Sequence, residues 1–147
     1  AKILYMIRDP LNVIPSGLSL VTGVLDKKFG FWSLNENIRK RFIDRLYNAL
    51  IELLNRFNDD WVQGRIDKDK VLIVQFDTMM FNFESLMEEI MNFTGVDSTD
   101  ELRNNIKSTA RNQRRYKSNH TYNLEKFGLT EEKIRKDCEN IYRTFLD

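Results

Sequence analysis

Two short, unbroken apolar runs constrain this chain more than any other feature. Residues 3–7 read Ile-Leu-Tyr-Met-Ile and residues 71–76 read Val-Leu-Ile-Val-Gln-Phe. Neither run alternates apolar with polar residues, so neither keeps a wet face. Each reads as a strand covered on both sides, as strands of parallel sheets are. Two helical patterns separate them, at about residues 12–25 and 35–62. In the second, Ile38, Phe42, Leu46, Leu50, Leu54, Phe57 and Trp61 recur three or four positions apart and form one stripe. Strand, helices, strand is the crossover that parallel neighbours require. The expected fold class is α/β, with a two-stranded parallel sheet and a mostly helical C-terminal half.

That second half carries helix punctuation. Asn82 is placed to cap a helix through about Phe93, and Gly95 to close it in a left-handed conformation. Ser98-Thr-Asp-Glu101 has capping-box spacing and opens a helix to about Arg114. Residues 116–129 read as extended, with a turn at Gly128. Thr130 then caps a last helix, with Glu131 and Glu132 near its positive end.

Two strands alone cannot cover both faces and both edges of such apolar runs. Partner strands are therefore expected from outside these residues or from another copy, which makes a homo-oligomer an expectation. The length, 147 residues, suits one domain. A net charge of +1 gives no bulk signature of a nucleic-acid partner, and such a partner is disfavoured. Cys138 is the lone cysteine, which excludes an internal disulfide and argues against a cysteine-based metal site; no metal is expected. No apolar run approaches the roughly 18 residues a membrane span needs, so no membrane partner is expected. With no leader sequence ahead of Ala1, the expected compartment is cytoplasmic.

The first run ends in a charge. Arg8 stands at the carboxyl end of its strand, where open α/β sheets bind ligands. Asp9-Pro10 makes a turn. Asn12 is a good N-cap, which makes Val13 the first helical residue, puts Pro15 third and leaves Ser16 in the same turn. A helix start with free N–H groups, a serine hydroxyl and an arginine together make an anion site, with phosphate as the ligand. The plainer reading is that Arg8 pairs with Asp9 or a surface acid and Ser16 is only a small residue at a helix start.

Here the sequence resembles the sulfotransferases that use 3′-phosphoadenosine 5′-phosphosulfate. In that family a strand ending in Arg, followed eight residues on by Ser, binds the 3′-phosphate of the nucleotide, and those positions are Arg8 and Ser16. "VLIVQFDTMMFNFESLMEEIMNFTGVD", residues 71–97, is similar to the family's strand ending in Tyr-Glu-Asp and the helix after it. Phe76-Asp77-Thr78 stands in that place, so a tyrosine hydroxyl is lacking there. "RRYKSNHTYNLEKFGLTEEKIRK" is similar to the tail of bacterial-type members, where a basic loop returns to the 3′-phosphate. The resemblance thus implies that Arg114, Arg115 and Lys117 join Arg8 and Ser16 in holding the nucleotide. It implies a P-loop-NTPase-like sheet, and 3′-phosphoadenosine 5′-phosphosulfate or adenosine 3′,5′-bisphosphate as the bound nucleotide. It also implies an acceptor hydroxyl or amine of unknown identity. The family's Gly- and Lys-containing phosphate loop and its catalytic histidine are not among these residues. The resemblance therefore implies the C-terminal half to two-thirds of such an enzyme, inactive by itself and carrying no catalytic residue.

Other features admit blander readings. Arg103, Lys107 and Arg111 recur every four residues in a stretch with no acid from Leu102 to Leu124. That stripe is a phosphate-facing wall, a nucleic-acid or acidic-partner surface, or a solvated helix face, the last being favoured for Arg103 and Lys107. His120 reads as a surface residue, Glu84, Glu88 and Glu89 as a wet helix face, and Cys138 as a buried small residue. Trp32 and Trp61 read as core or as cover for an acceptor pocket, core being favoured. Two other classes stay open: a different phosphate-loop transferase or kinase relative, and a helical interaction module using the basic face.

Overall fold

A computed structural model describes residues 1–115 and 123–147; Lys117 and His120 lie outside the described residues. In chain order the elements are β1 (Ile3–Ile7), α1 (Pro10–Phe29), a 3-10 turn (Phe31–Ser33), α2 (Glu36–Val62), a 3-10 turn (Lys68–Lys70), β2 (Val71–Gln75), α3 (Phe76–Phe81), α4 (Phe83–Thr94), α5 (Asp100–Arg115), a 3-10 turn (Glu125–Phe127) in a stretch expected to be extended, α6 (Glu131–Asp137), α7 (Glu139–Ile141) and a final π turn (Tyr142–Leu146). They gather into two compact units. One holds Ala1–Arg8 and the chain from Ile66 through α5; the other holds Asp9–Arg65 and the C-terminal helices.

In the first unit β1 and β2 pair in parallel, in register from Ile3 opposite Val71 to Ile7 opposite Gln75. The apolar runs are strands, as their composition requires. Phe76 does not extend β2; it opens α3 directly. The core is Ile7, Val71, Val74, Leu86, Ile106 and Ala110. The expected two-sided cover holds only in part. Val71 and Val74 are buried, but Ile3, Leu4 and Met6 keep 53%, 46% and 49% of their surface exposed. Gly95 closes α4 as expected, at φ 73°, with its N–H donating to the Met91 carbonyl. Asn82 precedes α4, but its side chain caps nothing. The cap of α5 is displaced by one residue from the expected box. The Thr99 hydroxyl, not that of Ser98, accepts the Leu102 N–H at 3.2 Å, while Ser98 Oγ accepts from Arg103 Nε at 2.6 Å.

The second unit packs α1 and α2 with the C-terminal helices around Ile14, Leu18, Ile43, Tyr47, Ile134, Cys138 and Ile141. Here the expected start of α1 is corrected. Asp9 is the N-cap and Pro10 the first helical residue, so Asn12 lies inside the helix. The physical reason is the Asp-Pro pair itself. A residue before proline avoids the α region, which suits an N-cap, and proline's fixed φ suits the first helical position. Thr130 caps α6 through Lys133 N–H as the sequence reads, and the backbone leaves α-helical geometry at Cys138 (φ −113°, ψ 14°) before α7.

Candidate functional site

Arg8 follows β1 at the carboxyl end of the sheet, and its half-buried side chain lies over Phe76, the residue that follows β2. The guanidinium carbon is 4.2 Å from the ring centre. Because the strands are parallel and in register, one residue past each strand puts these two side by side. Among the described residues no carboxylate pairs with Arg8. A guanidinium that rests on an aromatic face keeps its five donors at the edge, free for a planar oxyanion. The sequence set Phe76 down only as a replacement for tyrosine; its service as a platform for Arg8 emerges from the strand register.

Ser16 belongs to the helical unit, where the early start of α1 carries it beyond the first turn to the seventh helical position. It is half-buried, and its hydroxyl has no hydrogen-bond partner among the described residues. The free N–H groups expected at this helix start are not free. Pro10 has none, Leu11 donates to Asp9 Oδ1 at 2.8 Å, and Asn12 and Val13 donate to the Asp9 carbonyl at 2.8 and 3.1 Å. An aspartate carboxylate already occupies the positive end of α1 and satisfies it, so that end offers no cradle for a second anion. Asp9 Oδ1 also accepts the Tyr142 hydroxyl at 2.5 Å, a bond across 133 residues of chain. Burial first, and then this bond, raises the Tyr142 hydroxyl well above the usual phenol range.

Arg114 and Arg115 end α5 and are exposed. Arg114 Nη2 lies 2.8 Å from Glu84 Oε1 on α4, so the structure gives this arginine an acid. Within the sheet-bearing unit Arg8 and Arg114 are thus engaged separately, one with a ring and one with a carboxylate. That exposed pair is weak and exchangeable. Arg103 and Lys107, read as a solvated face, line a cleft of about 520 Å³ between α4 and α5 together with Glu84, Glu88, Asp97 and buried Ile106. Arg111 stays on the outside, its Nε donating to the Lys107 carbonyl at 3.3 Å. The four-residue spacing of acids in α4 and of bases in α5 was visible in the sequence; their facing one another was not.

Cys138 is fully buried, as expected, and burial, reinforced by the nearby carboxylates, pushes its thiol up to about 11, so it stays protonated and inert. No helix among the described residues is long and apolar enough to cross a membrane.

A two-stranded parallel sheet within a mostly helical chain places this protein in the α/β class. Residues 1–101 match the pattern that defines the Sulfotransferase family, and the chain belongs to that family. The match spans β1 through α4 and includes Arg8, Ser16 and Phe76; Arg114, Arg115 and Lys117 lie beyond it. No curated protein and no solved structure matches the chain.

Proposed function

We propose that this chain carries the 3′-phosphate-binding part of a sulfotransferase whose donor is 3′-phosphoadenosine 5′-phosphosulfate, with Arg8 as the principal ligand of that phosphate. The observation that carries the reading is Arg8 itself: a guanidinium at the carboxyl end of β1, stacked on Phe76 and without an acid partner among the described residues. A phosphate monoester dianion suits a planar, bidentate donor of this kind. By the family resemblance Ser16 supplies a second donor, its hydroxyl having no hydrogen-bond partner among the described residues while Asp9 satisfies the N-terminus of α1. Arg115 and Lys117 add positive charge to the nucleotide, with Arg114 joining them on release from Glu84. Family membership favours this reading over a different phosphate-loop transferase and over a helical interaction module.

The nucleotide supplies the sulfuryl group. The S–O bond to its 5′-phosphate breaks, releasing adenosine 3′,5′-bisphosphate, as a new S–O bond forms to an acceptor hydroxyl or a new S–N bond to an acceptor amine, and the acceptor's proton leaves to a base. None of the residues named here is assigned to that proton transfer. Arg8 and Ser16 hold the nucleotide by its far end, so that the sulfuryl sulfur stands in line with the acceptor. We further read β1 and β2 as part of a wider parallel sheet of the phosphate-loop type, a reading supported by the exposed apolar side chains of Ile3, Leu4 and Met6.

Calorimetry with adenosine 3′,5′-bisphosphate against adenosine 5′-monophosphate tests the proposal. Binding of the bisphosphate that is lost with the 3′-phosphate supports it. Equal affinity for the two nucleotides, or no heat with either, overturns it.

A further inference from the structure

Within the helical unit, α1, the 3-10 turn and α2 form a hairpin whose outer side is unusually apolar. Leu20, Val24, Phe29, Leu34 and Ile38 keep 69%, 49%, 72%, 40% and 57% of their surface exposed, all within a stretch of nineteen residues. On α1, Leu20, Val24 and Lys27 follow one another at helical spacing on the face opposite buried Ile14, Leu18 and Thr22. On α2, Ile38, Arg41 and Arg45 do the same on the face opposite buried Ile43 and Tyr47.

Cations flank this apolar surface. Lys27, Lys28, Lys40, Arg41 and Arg45 are all exposed, and none of them is paired with an acid among the described residues. Asp26, an acid close to the turn, has Oδ1 occupied by the Trp32 N–H at 3.0 Å. Glu36 and Asp44 remain, so basic groups prevail. The turn is also held rigidly. Gly30 takes a left-handed φ of 63°, Arg39 Nη1 donates to the Trp32 carbonyl at 2.8 Å, and Phe31 packs edge-on against Trp32 and Phe42 with ring centres 5.1 and 5.3 Å away. Phe29, seven residues after buried Thr22, ends α1 on the Thr22 side, so the outer face itself is carried by Leu20 and Val24.

We propose that this hairpin docks on an anionic lipid surface, lying in its interface without crossing it. Apolar side chains ringed by lysine and arginine fit the boundary between acyl chains and acidic headgroups. A second copy of the same face is a poorer occupant, because self-pairing would set five cations against five. A purely water-soluble polyanion would leave the apolar row uncovered. The inference departs from the expectation drawn from the sequence, in which the lack of a spanning apolar run left no membrane partner, and it stands independently of the nucleotide proposal.

Cosedimentation of the full chain with vesicles tests it. Vesicles of phosphatidylcholine containing phosphatidylserine are expected to carry the protein down, less so as salt is raised, and vesicles of phosphatidylcholine alone to leave it in solution. Lys27→Ala with Lys28→Ala is expected to weaken binding more than tenfold, at about fivefold per charge, and Leu20→Asp to abolish it. These side chains are exposed, so circular dichroism should show both variants folded. Absence of binding, equal binding to the neutral vesicles, or binding that survives both changes overturns the proposal. So does a dimer in solution that Leu20→Asp dissociates, since the face would then belong to a second copy.

Discussion

The Arg8 guanidinium lies over the Phe76 ring, 4.2 Å from its centre, at the carboxyl ends of two paired parallel strands. The ring limits the rotamers of a long side chain and aims its donors, which lowers the entropy lost when a phosphate is bound.

Arg8→Ala should therefore weaken binding of adenosine 3′,5′-bisphosphate by roughly tenfold or more, as loss of a charge-assisted bond of about 1.5–3 kcal/mol implies. Phe76→Ala should weaken it by a smaller factor, about two- to fivefold, since the platform contributes about 0.5–1 kcal/mol. Calorimetry on the two variants checks the order; unchanged affinity in Arg8→Ala would remove this arginine from the site.

Asp9 caps α1 and receives the Tyr142 hydroxyl, so one carboxylate ties the start of the helical unit to its end. Asp9→Ala should destabilise that unit by about 1–3 kcal/mol, from the lost cap and the hydroxyl left unpaired. Tyr142→Phe should cost less, about 0.5–1.5 kcal/mol. Urea unfolding of both variants tests the ranking.

Alkaline pH should unfold this protein through three buried or half-buried acids. Tyr47, Tyr142 and Cys138 are all raised above their ordinary values, each chiefly by burial. A raised value means that the folded chain holds its proton where the unfolded chain has already lost it. The stability is then complete below the unfolded-chain values of 9.0 for the thiol and 10.0 for the phenols, and falls as pH climbs past them. Asp137 works in the opposite direction. Lys133, and then Tyr47, hold its carboxyl below the usual range, so its contribution is present above an unfolded value of 3.8 and fades as pH drops through the folded one. Melting temperatures against pH should show both edges, and Tyr47→Phe together with Tyr142→Phe should flatten the alkaline one.

Two glycines of α1 should respond oppositely to a methyl group. A Cβ at Gly23 would meet nothing within 4 Å, so Gly23→Ala should stabilise by about 0.5–1 kcal/mol through the helix propensity it restores. At Gly17 the added carbon would stand 3.1 Å from Leu50 Cδ1, where α1 and α2 approach closely. Gly17→Ala should therefore forfeit the gain. Thermal melts of the pair decide it.

Exposure of Ile3, Leu4 and Met6 on β1 leads us to expect self-association. Light scattering should report species larger than a monomer at raised concentration, and Leu4→Lys should reduce them. A single monomeric species across that range would count against it.

Patterns confined to a few neighbouring residues were enough to identify the two parallel strands, the long α2, the left-handed close at Gly95 and the cap at Thr130. Such patterns encode which side chains avoid water and where a helix can begin or end, and these preferences act within a turn or a strand. Even there, competition between adjacent candidates misled the reading: Asp9 displaced Asn12 because Pro10 dictates its own place in a helix, and Thr99 displaced Ser98 by one residue. What only the tertiary structure decided was pairing. Phe76 beneath Arg8, Glu84 against Arg114 and Tyr142 on Asp9 join residues 68, 30 and 133 positions apart. Each pair depends on how strands register and helices pack, because a charge or a hydroxyl takes whichever partner the fold brings within reach.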